Sequence, residues 1–390
     1  MSVITNPASR PFMEREKNKF IDFWKKIVEL ESPTNDKALV DKVGQYVADF
    51  ALSLGFSVRR VPFAKSADGI VIEWKNGSDK APILFGAHLD TVHPVGAFGT
   101  PTVKVDGDNM IGPGILDDKA GIVQGLLTMA ALREIGYKDH PLKLVLSPDE
   151  EVSTVLSGKE GVEYLEREGR ESFCAFNLEC GYPDKFTVSR FGILRRKFKV
   201  HGVAAHAGGA YDKGRSAIRE MAYKIIELEK QSDLEHLTFN CGVISGGTVS
   251  NVVPEFCEVA IDMRFIDKEY LEKAREITDR VAAMQFVPDT TTEVEEIAVR
   301  PAMPFTEGVQ KLAILFNECH EALEGKKLEY YHTRGGSDAA FFAQIGVPTI
   351  DSIGPLGGNI HNRGEWADTS TLVPRCELLV TSILNLPEKF

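Results

Sequence analysis

The sequence predicts an α/β protein: a central sheet flanked by helices, interrupted by an inserted α+β domain. Three observations predict it. Short apolar runs alternate with amphipathic helical stretches through the first half, the texture of a layered α/β sheet. Near Phe191 this gives way to strands and helices in β-α-β-β-α-β order, which matches a split βαβ (ferredoxin-like) sandwich. After Arg300–Pro301 the first texture returns, and an insertion is the simplest account. The expected bounds are 1–191 with 302–390 for the outer domain and 192–301 for the insertion.

Taken in order, residues 13–31 place Phe20, Phe23, Trp24, Ile27 and Val28 on one face of a helix. Asn35 is the expected cap of a second helix through Leu39, Val43, Val47 and Phe50, stopped by Gly55. FSVRRV (56–61), IVIEW (70–74) and PILFGA (82–87) read as strands, the last apolar throughout as a buried central strand would be. A helix over 120–135 closes at Gly136, and LKLVLS (142–147) and FCAFNL (173–178) are two more buried strands. Inside the insertion, a strand opens at ILRRKFKVHG, followed by a helix near 214–231, strands near 237–244 and 253–265, a helix near 267–284 and a strand near 291–297. Helices near 307–323, 338–345 and 370–385, with a strand at 347–350, complete the outer domain.

Composition bounds the function. A chain of 390 residues buries a large core without disulfides. Its net charge of −12 argues against nucleic acid or an anionic membrane as partner. No apolar run reaches the roughly 18 residues of a spanning helix, and the N-terminus does not read as a secretory signal. The six cysteines are scattered, with no CxxC, so the expectation is reduced thiols in a cytoplasmic protein, Cys257 and Cys376 being small buried hydrophobes. No Walker A loop, GxGxxG after a strand, HExxH or GxSxG elbow is present.

The chemistry gathers where buried strands end. PILFGA runs into His88-Leu89-Asp90, LKLVLS into Asp149-Glu150-Glu151, and FCAFNL into Glu179. GPGILDDKAG places Asp117 and Asp118 in a Gly-rich turn before a helix, and His361 sits in the Gly-rich loop GPLGGNIHNRGEWAD. In an open α/β sheet, ligands bind at the carboxyl ends of the strands. Singly, each feature has an ordinary explanation: a polar surface histidine, a solvated Glu pair, an Asp capping a helix. Together they make a His-plus-carboxylate set suited to two divalent cations about 3.5–4 Å apart, sharing one carboxylate and leaving another free as general base.

These residues also resemble a known family. HLDTV (88–92), GPGILDDKAG (112–121), DEE (149–151), Glu179 and His361 occur in the order of the di-zinc aminopeptidase, carboxypeptidase and deacylase family, as do GVAAHAG (202–208), VSNVVPE (249–255) and TRGGSDAAF (333–341). The nearest branch resembles glutamate carboxypeptidase; a tripeptidase-like branch is second. The resemblance implies a zinc-peptidase catalytic domain with a mixed sheet, and an insertion serving as lid and dimerisation domain. It implies His88 and Glu179 on one metal, Glu151 and His361 on the other, and Asp117 bridging. Glu150 resembles the general base, and Asp90 the carboxylate that orients His88. His206 resembles an oxyanion-stabilising residue, often acting across a dimer. Asn251 and Arg264 resemble substrate-holding lid residues. Arg334 could pair a substrate carboxylate, a salt bridge being the plain alternative for both arginines. The expected function is amide hydrolysis in short peptides or N-acyl amino acids by a metal-activated water, with zinc (or cobalt or manganese) and a homodimer. A deacylase or tripeptide aminopeptidase on the same site, or a non-catalytic metal-binding paralogue, are the alternatives.

Overall fold

A computed structural model describes residues 3–390. The chain forms two compact units. The first comprises the chain up to Ser189, Phe305–Thr333 and Ser337–Phe390; the second comprises Arg190–Pro304 with Arg334–Gly336.

The first unit is built on a six-stranded mixed sheet. Its spatial order is Ser57–Val61, Gly69–Trp74, Leu142–Ser147, Ile83–His88, Cys174–Asn177, Thr349–Ile350. The first two strands run antiparallel to their neighbours, and the last four pair in parallel. Ile83–His88 is buried at every position, because helices cover both faces of a parallel sheet. One cover is the helix Lys119–Glu134, buried almost all round between the sheet and the helices Ser9–Glu29 and Leu372–Leu384. Trp24 of the first helix is fully buried, and its Nε1–H donates to the Ile115 carbonyl at 2.7 Å, tying that helix to the loop that carries Asp117.

Several local expectations change. The cap of the Lys37–Ser53 helix is Asp36, whose side chain accepts the Leu39 N–H, and not Asn35. The helix Gly158–Gly169 has no counterpart in the sequence reading; its three glycines mask a strongly amphipathic pattern. A small sheet joins Lys104–Asp106 and Asn109–Ile111 to Trp366–Asp368 and Gly357–Gly358. Strands of two or three residues carry no readable period, and their partners lie some 250 residues away. This sheet nevertheless brings the His361 loop against the loop that leads to Asp117.

The second unit has a four-stranded antiparallel sheet in the order Leu237–Gly246, Phe256–Phe265, Gly192–His201, Thr291–Arg300. Burial alternates strictly along Phe256–Phe265, and the buried face packs under the helices Ala217–Glu229 and Lys268–Ala283. Those helices are clasped by a buried ion pair. Lys224 Nζ lies 3.1 Å from Glu220 Oε1 and donates to the carbonyls of Val281, Ala282 and Met284, the end of the second helix. Glu220 Oε2 accepts the N–H groups of Phe286 and Val287 at 2.9 and 2.6 Å. Lys224→Met strands a buried carboxylate and should destabilise this unit by about 3–5 kcal/mol. Urea unfolding followed by hydrogen exchange should place the loss in residues 190–304 and leave the first unit unchanged.

Candidate metal centre

The site is built where strands of the first sheet stop. His88 ends its strand and is 1% exposed. Its Nδ1 lies 3.1 Å from the Asp90 carbonyl and 3.2 Å from Asp90 Oδ1, which orients the ring so that Nε2 faces the site. Nε2 lies 3.0 Å from Asp117 Oδ1 and 4.0 Å from Glu179 Oε1. The other Asp117 oxygen, Oδ2, lies 3.1 Å from His361 Nε2, which is also 3.1 Å from Glu151 Oε2. Asp117 therefore faces a histidine on each side, with a further carboxylate beside each histidine. Glu150 belongs to the same cluster: one oxygen from Glu150 and one from Glu179 come within 4.8 Å of His88 and of each other, as do single ligand atoms from His88, Asp117 and Glu151.

Neighbouring residues divide the work. Asp118 Oδ1 accepts the Gly121 N–H at 3.2 Å and caps the following helix, while Asp117 turns into the site. Glu150 and Glu151 stand in one tight turn, and their backbone N–H groups donate to Asp90 Oδ1 and Oδ2 at 3.1 and 3.3 Å. The Thr34 hydroxyl donates to Asp90 Oδ2 at 2.7 Å. Asp90 thus fixes both the His88 ring and the Glu150–Glu151 turn. His361 holds a left-handed backbone, φ 61°, a conformation a non-glycine residue keeps only when its surroundings impose it.

Four supporting residues escaped the sequence reading: Thr34, His93, Lys119 and Glu365. Glu365 is 1% exposed. Its Oε1 accepts the N–H groups of Leu116 and Asp117 at 2.9 and 3.0 Å, its Oε2 accepts that of Gly114 at 3.2 Å, and His93 Nε2 hydrogen-bonds Oε2 at 2.8 Å. Lys119 Nζ, fully buried, donates to the Pro113 carbonyl at 3.1 Å in the same loop. The available signal was a charged residue within a Gly-rich motif, and it does not name a partner.

The electrostatics are those of a crowded acidic cluster. Burial opposes charge on His88, but hydrogen bonds to Asp117 and Asp90 outweigh it and hold its pKa well above the ordinary range. Hydrogen bonds to Asp117 and Glu151 lift His361 to about 10. Burial pushes Glu151 up to about 7 against its His361 contact, and burial followed by the charges of Asp117 and Asp118 raises Glu179 well above the carboxylate range. Asp117 is held below that range, its two histidines overcoming its burial. Glu151 Oε1 is buried with no hydrogen-bond partner. Carboxylates that cannot all ionise together, an orphaned oxygen and two imidazoles suit divalent cations, which relieve each of these penalties at once. A cleft of about 440 Å3 opens beside Glu151, walled by Pro33, Asn35, Val92, Val95 and Val152.

The remaining predicted site residues lie in the second unit. His206 is exposed, and its Nδ1 accepts the N–H groups of Gly208 and Gly209 at 3.1 and 3.0 Å. Asn251 is exposed in the turn beside it, its carbonyl accepting the Ala207 N–H. Arg264 is engaged: Nε and Nη2 go to Asp262 at 2.6 and 3.4 Å, and Nη1 donates to the Arg334 carbonyl at 2.9 Å. The Arg334 guanidinium stacks over Phe191 at 5.0 Å, and among the described residues it forms no ion pair.

A family profile for peptidase family M20/M25/M40 matches residues 84–385. The chain belongs to this family. It is a hydrolase of metallopeptidase type, as the resemblance implied, with the expected mixed α/β fold. It is similar to carboxypeptidase G2 of Pseudomonas sp. (strain RS-16), at 28% identity over 95% of this chain and 90% of that one. It is 26% identical to the succinyl-diaminopimelate desuccinylase of Aromatoleum aromaticum, over 82% of this chain and 85% of that one. The solved aminopeptidase PepT from Bacillus cereus shares the fold, with a TM-score of 0.76 at 22% identity, covering 94% of this chain and 98% of that one. Among the described residues, no helix is long and apolar enough to cross a membrane.

Two predictions follow from this geometry. Cation binding must expel the protons held by His88, His361, Glu151 and Glu179, so affinity should rise with pH. Calorimetric metal titration in buffers of different ionisation enthalpy should register that proton release, and buffer-independent heats would contradict it. Glu365→Gln removes a charged acceptor from the Asp117 loop and should weaken metal retention about 10- to 100-fold with little change in secondary structure.

Proposed function

We propose that this M20 hydrolase is a two-metal, carboxypeptidase-like enzyme that cleaves an amide bond in short peptides or N-acyl amino acids. One observation carries the reading: the two oxygens of Asp117 each face a different histidine, at 3.0 and 3.1 Å. His88, Glu179 and Asp117 would hold one cation, and His361, Glu151 and Asp117 the other; zinc is the first candidate, with cobalt or manganese as substitutes. Such cations supply Lewis acidity, acidifying water and polarising an amide carbonyl.

The chain's own groups do the rest. Glu150 takes the proton of the attacking water and delivers it to the leaving amine. His206 suits oxyanion stabilisation: with Nδ1 accepting two N–H groups, the neutral ring carries its proton on Nε2, outward, as a donor. Asn251, in the adjacent turn, is proposed to hold the substrate carbonyl. Of the two arginines expected to read a substrate carboxylate, Arg334 is the better candidate, since Asp262 already occupies the Arg264 fork. The similarity to carboxypeptidase G2 favours a free-acid substrate; the desuccinylase and aminopeptidase relatives keep a deacylase or tripeptide aminopeptidase as the second reading.

The second unit is proposed as the inserted lid and dimerisation domain. Leu237–Gly246 is an edge strand with Val243 and Ile244 at 68% and 52% exposure, beside Ile226 at 62% on the neighbouring helix. An apolar sheet edge of this kind is normally covered, and a second copy of the chain would cover it. The scattered cysteines, four of the six buried, suit a cytoplasmic protein.

Glu150→Gln should retain its metal and lose kcat by about 100-fold or more, whereas Asp117→Ala should lose both ions on elemental analysis. Metal loss or full activity in Glu150→Gln would overturn the base assignment. Mixed Glu150→Gln and His206→Ala chains should recover activity after subunit exchange if His206 serves the partner's site. Arg334→Lys should lower kcat/KM about 10- to 150-fold on free-acid substrates and far less on their C-terminal amides. Equal cleavage of acid and amide by the unaltered enzyme would favour the aminopeptidase reading.

A further inference from the structure

Within the first unit, a cavity of about 320 Å3 that none of the metal-centre residues lines lies against the first turn of the Leu372–Leu384 helix. That volume is at the lower end for small-molecule sites. Leu323, Leu356, Pro374 and Leu378 supply an apolar wall, while Arg375 and Lys326 contribute positive charge.

Arg375 is the unusual member. It is 7% exposed. Its Nη2 donates to the Tyr182 carbonyl, and its Nη1 is buried with no hydrogen-bond partner. Burial pushes its pKa down to about 10, opposed by the charge of Glu324 on the cavity rim. A guanidinium buried without a counter-ion is costly, and a nearby anion removes most of that cost. The amino end of the 13-residue Leu372–Leu384 helix adds a positive potential of the same sense. The hydroxyls of Ser370 and Thr371 are already spent on Asp368, so the polar recognition falls on charge.

We infer that this cavity binds a small organic carboxylate, with its charge toward Arg375 and the helix terminus and its apolar body against Leu323, Leu356 and Leu378. The rival occupant is the chain's own Glu324, whose carboxylate stands at the rim.

Benzoate is the probe, with benzyl alcohol as its neutral counterpart, each titrated into the full-length metal-loaded enzyme by calorimetry. Benzoate should bind saturably and the alcohol about 10-fold or more weakly, the difference set by one charged contact. Arg375→Met should weaken benzoate by a similar factor. Leu323→Trp, at a half-buried position at the core's edge on the cavity wall, fills the space and should abolish binding while leaving amide hydrolysis unchanged. Glu324→Gln should tighten binding by up to about 5-fold by removing the competing charge. Equal affinity for acid and alcohol overturns the inference. So does benzoate binding that survives Leu323→Trp, a readout that holds even if Arg375→Met does not fold, and so does weaker binding in Glu324→Gln.

Discussion

The Asp117 carboxylate stands between His88 and His361, one oxygen toward each, and the surrounding loops are organised to hold it there. Asp117 sits in a turn with glycines at 112 and 114 that has no regular secondary structure of its own to stiffen it. Stiffness comes from Glu365, whose buried carboxylate gathers N–H groups of residues 114, 116 and 117 and also meets His93. One side chain therefore ties together segments adjoining His88, Asp117 and His361. A carboxylate bonded to several N–H groups is strongly directional, so a small shift of Glu365 would be felt at every one of them.

A second buried carboxylate repeats the device. Asp90 orients the His88 ring and holds the turn that presents Glu150 and Glu151. The candidate ligand set thus rests on two acidic residues, Asp90 and Glu365, proposed here as supports and not as ligands. The arrangement is strained in charge: His88 and His361 are driven toward protonation, and Glu151 and Glu179 are pushed up by burial. That tension is the physical form of a preference for divalent cations, since concentrated positive charge lets all the carboxylates ionise together.

Family membership fixes the reaction type more firmly than the substrate. Relatives that share this chain's length include a carboxypeptidase, a desuccinylase and an aminopeptidase. Within the second unit, the two arginines differ in kind. Arg264 is spent on Asp262, whereas Arg334 rests on an aromatic face with its fork uncommitted. An uncommitted fork can be offered to a ligand without first breaking an ion pair, which is why Arg334 is the one proposed to read a substrate carboxylate.

The sequence by itself determined the sheet, the family and the residues at the strand ends. Ile83–His88 is apolar throughout because both its faces are covered, and such a run is legible without coordinates. The motifs around His88, Asp117, Glu150, Glu179 and His361 are local in the chain, so they too could be read directly. Tertiary structure decided what depends on distant pairing. It also decided a local choice, the cap at Asp36 in place of Asn35, which turns on which side-chain oxygen meets the Leu39 N–H. The short strands joining residues 109–111 to 366–368 have no period to detect, yet they deliver Glu365 to the Asp117 loop. That Asp118 caps a helix while Asp117 faces two histidines is a matter of backbone direction at adjacent carboxylates. Their shared chemistry could not separate them; the family resemblance pointed to Asp117, and the fold supplies the physical reason by aiming one at Gly121 and the other at His88 and His361.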